Sequence, residues 1–74
     1  MISKEEFLSD LQETLQSEVK LSEDTRLAEL PEWDSLAGMI LVTYFAERSG
    51  ILRSYDEIMA CGTCGALMEL GGIR

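Results

Sequence analysis

The amino-acid sequence predicts an all-α protein: a small four-helix bundle with a long first loop and a short third helix. In several separate segments apolar residues recur at three- and four-residue steps, which is the period of one helix face. No segment alternates strictly between apolar and polar residues over four to eight positions, as a half-buried strand would. With 74 residues the chain is long enough for one domain, so residues 1–74 are expected to form a single unit.

The charge balance limits the classes of partner. Six lysines and arginines stand against fourteen acidic residues, giving a net charge of -8. Nucleic acids and anionic membranes attract cationic surfaces, so neither is an expected partner, whereas basic protein surfaces are favoured. The alternative is that the acidity serves only solubility. The chain has no run of about 18 apolar residues and no signal-peptide pattern at its start, so a cytoplasmic protein is expected.

The first helix is predicted over residues 3–18, followed by a long loop over 20–33. Ser3 and Glu6 have the spacing of a capping box. The apolar face of the helix comprises Phe7, Leu8, Leu11, Leu15 and Val19. The loop is long for a compact domain, and such loops usually pack on the body of the protein or carry function. Its expected anchors are Leu21, Leu27 and Leu30.

The second helix is predicted over residues 35–49, with Asp34 as its N-cap and Gly50 just past its end. Pro31 resists helix and keeps the preceding chain extended. Asp34 has a carboxylate that can accept hydrogen bonds from the first turn. Ser35 then becomes the first helical residue, with its hydroxyl at an end that carries partial positive charge and suits a phosphate.

This helix is apolar on more than one stripe, which predicts either a central helix or a second face for a partner. We expect Leu41, Val42 and Phe45 to line the core. The remaining apolar side chains would form an exposed, adaptable patch for a partner, made of Leu36, Met39 and Ile40. Gly38 costs about 1 kcal/mol relative to alanine in a helix, which predicts close packing there.

Two short helices complete the predicted bundle. Ser54 and Glu57 have capping-box spacing ahead of a helix over residues 55–60 that would bury Ile58 and Met59. Thr63 would cap a last helix over 64–70. Its inward-facing side chains would be Ala66, Leu67 and Leu70. Gly71 and Gly72 would end that helix and leave residues 73–74 as a tail.

Cys61 and Cys64 form a C-x-x-C pair with three interpretations. A redox motif would place a thiol at a helix start, yet the thioredoxin-like setting also needs strands, which the pattern lacks. A zinc site would need two further ligands, and the chain has no histidine. We therefore favour two small, buried, reduced side chains and expect no metal site.

The chain resembles the acyl carrier and peptidyl carrier protein family over nearly its whole length. The matching segments are Leu27-Ala28-Glu29-Leu30, Trp33-Asp34-Ser35-Leu36, Ala60-Cys61-Gly62-Thr63 and Gly65-Ala66-Leu67. The resemblance implies that Ser35 carries a 4′-phosphopantetheine arm donated from coenzyme A by a phosphopantetheinyl transferase. It implies that Asp34 and Leu36 are flanking recognition residues. Acyl or aminoacyl groups would ride on the arm as thioesters, supplied by loading ligases and passed to synthase or transferase enzymes.

The residues agree with a tether rather than with catalysis. A hydrolase serine needs a neighbouring base, whereas this chain has neither a histidine nor a Gly-x-Ser-x-Gly segment. We therefore expect no catalytic residue, and the resemblance implies a protein that works as a monomer. Unlike fatty-acid members of the family, it has no acid from Ser35 to Ala46, and Glu47 is the first. This favours a specialised polyketide, peptide or modified-sugar pathway over fatty-acid synthesis.

Two other interpretations remain open. The chain would be a helical interaction module that keeps a degenerate carrier fold without the arm, and that docks through its second helix. Alternatively, it would be an unusual thiol protein that works through Cys61 and Cys64.

Overall fold

The computed structural model describes residues 2–73, and within this part of the chain all regular structure is helical. The four α-helices are α1 (Lys4–Leu15), α2 (Ser35–Tyr44), α3 (Tyr55–Met59) and α4 (Cys64–Leu70). A 3-10 turn lies at Leu27–Glu29, and a π-helical turn at Phe45–Ser49 continues α2. The predicted all-α class with a long first loop and a short third helix is confirmed.

Helix α1 starts where the sequence predicts and ends earlier. The Glu6 N–H donates to the Ser3 hydroxyl at 3.1 Å, and the Ser3 N–H donates to the Glu6 carboxylate at 3.4 Å, so the capping box is present. Gln16 takes a left-handed conformation with a φ of 53°, and the Ser17 N–H then donates to the Gln12 carbonyl at 3.1 Å. This left-handed cap ends the helix at Leu15 instead of residue 18. The predicted burial of Val19 is therefore wrong: it lies beyond the helix and is 62% exposed.

The long loop is fixed to the body of the protein by its leucines and its backbone. Leu21, Leu27 and Leu30 are buried, as predicted. The loop also exchanges backbone hydrogen bonds with the start of α4. These join the Leu27 N–H to the Gly62 carbonyl at 3.0 Å, the Cys64 N–H to the Thr25 carbonyl at 3.1 Å, and the Gly65 N–H to the Glu23 carbonyl at 2.8 Å. Buried leucines and paired backbone groups leave this loop a defined path.

The predicted limits of the second helix are confirmed, with one addition. Asp34 caps α2, and Gly50 ends the helical segment in a left-handed conformation with a φ of 68°. Between them, the helical hydrogen bonds change from Phe45 onward to the longer spacing of a π turn, in which the Gly50 N–H donates to the Phe45 carbonyl. The sequence pattern did not indicate this turn.

The core is apolar, and no polar or charged side chain among residues 2–73 is buried. At its centre the rings of Phe7 and Phe45 stack with centroids 5.9 Å apart. The largest fully buried side chains are Phe7, Phe45, Leu11, Leu27, Leu41, Ile58, Leu67 and Met68. Val42 packs half-buried against this cluster. The predicted core positions of α2 are therefore observed.

The C-terminal part of the fold agrees with the prediction in its caps and differs at four residues. Ser54 and Thr63 cap α3 and α4, and Ile58 and Leu67 are buried. The predicted inward faces of Met59, Ala66 and Leu70 are only half-buried. Met68, which the pattern did not assign to the core, is buried instead.

Ile73 is not part of a tail. Gly72 takes a φ of 67° and turns the chain back, so that the Ile73 N–H donates to the Met68 carbonyl at 2.8 Å. The side chain is then buried against the core. The other predicted tail residue, Arg74, lies outside the described residues.

A polar cluster joins α1 to the second helix. The Tyr44 hydroxyl donates to the Asp10 carboxylate at 2.7 Å. Arg48 lies 3.5 Å from the same carboxylate and 3.9 Å from that of Glu6, with its guanidinium 5.6 Å from the Tyr44 ring centre. Burial, together with the bond to Asp10, raises the pKa of Tyr44.

Substituting Gly71 tests the packing around Phe45. A Cβ at Gly71 would lie 2.5 Å from a ring carbon of Phe45, which is fully buried, so Gly71→Ala should destabilise the fold by about 1–3 kcal/mol. Gly62→Ala is the matched control, because a Cβ there meets nothing within 4 Å. Urea unfolding measures both. Equal effects of the two substitutions would contradict the close approach of Gly71 to the ring.

The raised pKa of Tyr44 predicts a loss of stability in alkali. An ordinary tyrosine ionises near pH ~10. Above that pH the unfolded chain releases the Tyr44 proton while the folded chain retains it. The contribution of Tyr44 to the free energy of unfolding is therefore complete below about pH 10 and falls as the pH rises further. Between roughly pH 9 and 11, the free energy of unfolding should fall more for the wild type than for Tyr44→Phe. Parallel losses in the two proteins would refute this role.

Candidate functional site

Ser35 lies at the exposed start of α2, where the loop delivers it. Leu30 is buried and Trp33 is half-buried against the core, and the Trp33 N–H donates to the Leu30 carbonyl at 3.1 Å. These two residues hold the loop down on either side of Pro31. Asp34 and Ser35 follow directly and are both exposed. The predicted position of Ser35 as the first helical residue is confirmed.

Asp34 accepts hydrogen bonds from two of the four backbone N–H groups in the first turn of α2. The Asp34 carboxylate accepts from the Ala37 N–H at 3.0 Å, and its carbonyl accepts from the Gly38 N–H at 3.2 Å. The N–H groups of Ser35 and Leu36 have no acceptor within residues 2–73. Free donors at a helix start carry partial positive charge and favour an anion.

The side chains around Ser35 are acidic or neutral. A depression of about 380 Å³ between the end of α1 and the start of α2 adjoins the serine. Its lining includes the carboxylates of Glu32 and Asp34 and the apolar side chains of Leu15 and Leu36, and it contains no lysine or arginine. This depression therefore offers no cation of its own to a phosphate.

Nothing in the described part of the chain activates the Ser35 hydroxyl. It makes no hydrogen bond with any group of residues 2–73, and the sequence contains no histidine. A serine nucleophile needs an adjacent base that is oriented by a third group. The arrangement is therefore suited to receiving a group from another protein.

The predicted patch on α2 is exposed. Leu36 is 63%, Met39 60% and Ile40 40% exposed, while Leu41 and Phe45 face the core. Exposure of three large apolar side chains on neighbouring turns is unusual for a domain that buries its other helices well. We refer to Leu36, Met39 and Ile40 as the α2 patch.

A second depression, of about 480 Å³, continues from the α2 patch toward the end of the helix. It is lined by Met39, Ile40, Thr43, Tyr44 and Glu47. Sequence reasoning did not assign Thr43 and Glu47 to the site. Their spacing was a usable signal, since residues 35, 39, 43 and 47 lie four apart and share one row on a helix.

The opposite side of α2 is closed by α3. Gly38 is buried, and a Cβ built on it would lie 2.5 Å from the Met59 sulfur and 3.0 Å from the Tyr55 ring. The predicted close packing at Gly38 is confirmed. The contact between α2 and α3 thus lacks room for a methyl group unless Met59 moves.

The two cysteines have the properties of packed thiols. Cys64 is buried and Cys61 is half-buried, so the predicted burial is complete for only one of them. Both thiols are free, and burial raises the pKa of each. A raised pKa lowers the thiolate fraction that redox chemistry and metal binding require.

Two searches of residues 2–73 gave negative findings. No group of three or more cysteine or acidic side chains is placed to bind a metal ion within this part of the chain. None of the helices described there has both the length and the apolar composition needed to cross a bilayer.

Comparison of the chain with protein-family models, with curated proteins and with solved structures found no match. Function is therefore inferred from the residues around Ser35 and their geometry.

Stability measurements on α2 variants test the assignment of its two faces. Met39→Ala should change the free energy of unfolding by no more than about 0.5 kcal/mol, because the side chain is mostly exposed. Leu41→Ala should cost about 2–5 kcal/mol, because Leu41 is buried. If Met39→Ala proves as costly as Leu41→Ala, Met39 belongs to the core.

Proposed function

We propose that the protein is a carrier on which Ser35 holds a 4′-phosphopantetheine arm, and on which acyl or aminoacyl groups travel as thioesters. The observation that supports this most directly is the exposed Ser35 hydroxyl, without a hydrogen-bond partner in the described chain, on the first turn of α2. The capping contact of Asp34 fixes that turn. The chain itself is not an enzyme in this proposal.

In the attachment reaction this chain supplies only the serine hydroxyl. The Ser35 oxygen forms a bond to the phosphorus of coenzyme A that bears the pantetheine, the pyrophosphate bond breaks, and adenosine 3′,5′-bisphosphate leaves. A base on the transferase accepts the serine proton. The free N–H groups of Ser35 and Leu36 then lie beside the new phosphate, where helix-start donors favour negative charge.

The fold supports the same proposal at a coarser level. Four helices, a long, packed first loop and a serine at the start of the second helix agree with the arrangement that the carrier resemblance implies. In this proposal Asp34 and Leu36 flank the arm as recognition residues. The acid-free helix favours a dedicated cytoplasmic carrier for polyketide, peptide or modified-sugar assembly, acting as a monomer.

Partner enzymes would dock on the α2 patch. The patch is apolar, and along the sequence the acids that flank it are Asp34 and Glu47. Contacts of this kind depend on buried apolar area more than on charge, so partner affinity should depend only weakly on salt.

A second candidate function uses the same patch without the arm. Three exposed apolar side chains on one helix also suit a helical interaction module that binds a groove. Ser35 would then be an ordinary residue of the first turn. Modification of the serine distinguishes the two candidates.

Intact-mass spectrometry after co-expression with a broad-specificity phosphopantetheinyl transferase tests the proposal. The wild type should gain the mass of one phosphopantetheine, and Ser35→Ala should gain none. Ser9→Ala is the matched control, because Ser9 is an exposed helical serine on α1 and its loss should leave the modification complete. The double variant Cys61→Ser, Cys64→Ser should also be fully modified.

Two results would overturn the carrier proposal. One is a wild-type protein that remains unmodified while a known carrier in the same cells is fully converted. The other is modification that persists in Ser35→Ala, which would move the attachment point elsewhere. The first result, combined with partner capture that depends on the α2 patch, would favour the interaction module.

A further inference from the structure

A furrow on the outer side of α2 begins at Met39, one helical turn beyond the proposed attachment point. Side chains four residues apart form rows along a helix, and two neighbouring rows enclose a furrow. One row begins at Ser35 and ends at Glu47, and the other runs from Leu36 through Ile40 to Tyr44. The depression of about 480 Å³ lies between these rows.

The furrow changes character along its length. At the end nearer to Ser35 its walls are the apolar side chains of Met39 and Ile40, and further on the furrow is lined by Thr43. At its far end lies the carboxylate of Glu47, which has no cationic partner within 4 Å in the described chain. The adjacent Arg48 is directed to Asp10 and Glu6 instead. The furrow is therefore apolar near the serine and negatively charged at its end.

The length of the furrow matches the arm. A phosphopantetheine has about as many chain bonds as five residues of extended polypeptide, so it spans roughly 17 Å. From residue 35 to residue 47 is a rise of twelve residues, or roughly 18 Å at about 1.5 Å per residue. An arm lying in the furrow therefore brings its thiol alongside Glu47.

The side of α2 that faces α3 offers no comparable path. The contact between α2 and α3 is filled at Gly38 by the Met59 side chain and the Tyr55 ring. Any group entering there must first displace Met59, whereas the furrow is already open to solvent.

We propose that the arm on Ser35 lies along this furrow and that its cargo is an aminoacyl thioester whose ammonium group pairs with Glu47. The inference rests on the carrier function proposed above and specifies the class of its cargo. An α-ammonium group is attached to the carbon next to the thioester carbonyl, so it lies at the end of the arm, where the furrow presents its carboxylate. An uncharged acyl group of the same shape has no such contact.

Two matched cargoes test the inference by NMR. The protein is loaded from leucyl-coenzyme A or 4-methylpentanoyl-coenzyme A, which differ only in the ammonium group, and loading is verified by intact mass. The leucyl arm should shift the methyl signals of Met39 and Thr43 and the amide signal of Glu47, and should show nuclear Overhauser contacts to those methyl groups. The uncharged arm should occupy the furrow up to about fivefold less, which is the range of an exposed ion pair.

Glu47→Gln should remove the difference between the two cargoes. Glu69→Gln is the control, because Glu69 is an exposed acid on α4, and it should preserve the difference. Loading without these contacts, contacts at Met59 and Tyr55 instead, or equal occupancy by both cargoes would overturn this inference and leave the carrier function standing. Failure of Ser35 to be loaded at all would overturn both.

Discussion

The attachment of the long loop to the start of α4 is the constraint on which the rest of the structure depends. Three backbone hydrogen bonds join the loop at Glu23, Thr25 and Leu27 to Gly65, Cys64 and Gly62, respectively. In two of them N–H groups at the start of α4, which would otherwise lack partners, donate to the loop, and in the third the Leu27 N–H of the loop donates to the Gly62 carbonyl. Because the loop is held at this point, its leucines can be buried although the loop has little regular structure. The loop then reaches Pro31 in one path and presents Asp34 and Ser35 to solvent.

Features fixed by neighbouring residues could be predicted from the sequence, and those fixed by distant residues could not. The caps at Ser3, Asp34, Ser54 and Thr63 depend on side chains within three residues, and all four are present. The early end of α1 depends on Gln16 in a left-handed conformation, which favours glycine or asparagine and gives no signal at glutamine. The burial of Ile73 depends on a turn at Gly72 that brings it back over α4.

The same distinction applies to the site. Ser35, its cap and the exposure of the α2 patch follow from local pattern and helix geometry, and they were predictable. The furrow also depends on Tyr44, whose hydroxyl is held by Asp10, 34 residues earlier in the chain. Arg48, which contacts α1, lies in the π turn, and the sequence pattern does not indicate that turn. The spacing of Glu47 from Ser35 could have indicated that Glu47 belongs to the site. Only the structure shows that the neighbouring Arg48 pairs with Asp10 and Glu6 instead of with Glu47.

The distribution of charge explains how a chain with a net charge of -8 retains an acid-free helix face. Lys4, Arg26, Arg48 and Arg53 pair with acids on α1, in the loop and on α3, at nitrogen–oxygen distances from 2.8 to 3.9 Å. These pairs are largely exposed, so each contributes little to stability. A partner therefore meets an apolar surface with an acid at each end, which favours contacts by shape and apolar area over attraction to a continuous acidic face.

Size limits where such a small protein can place a cargo. A chain of 74 residues has one layer of core, and here that layer is filled by two stacked phenylalanines and the leucines around them. Gly71 approaches the Phe45 ring and Gly38 approaches Met59 so closely that neither position admits a Cβ without movement. An internal chamber would have to open this core, and each buried side chain displaced would cost about 2–5 kcal/mol, which is comparable with the whole stability of a small domain. For the carrier proposed here, it is therefore less costly to hold the cargo on the outer side of α2, where the helix already exposes apolar side chains next to Ser35.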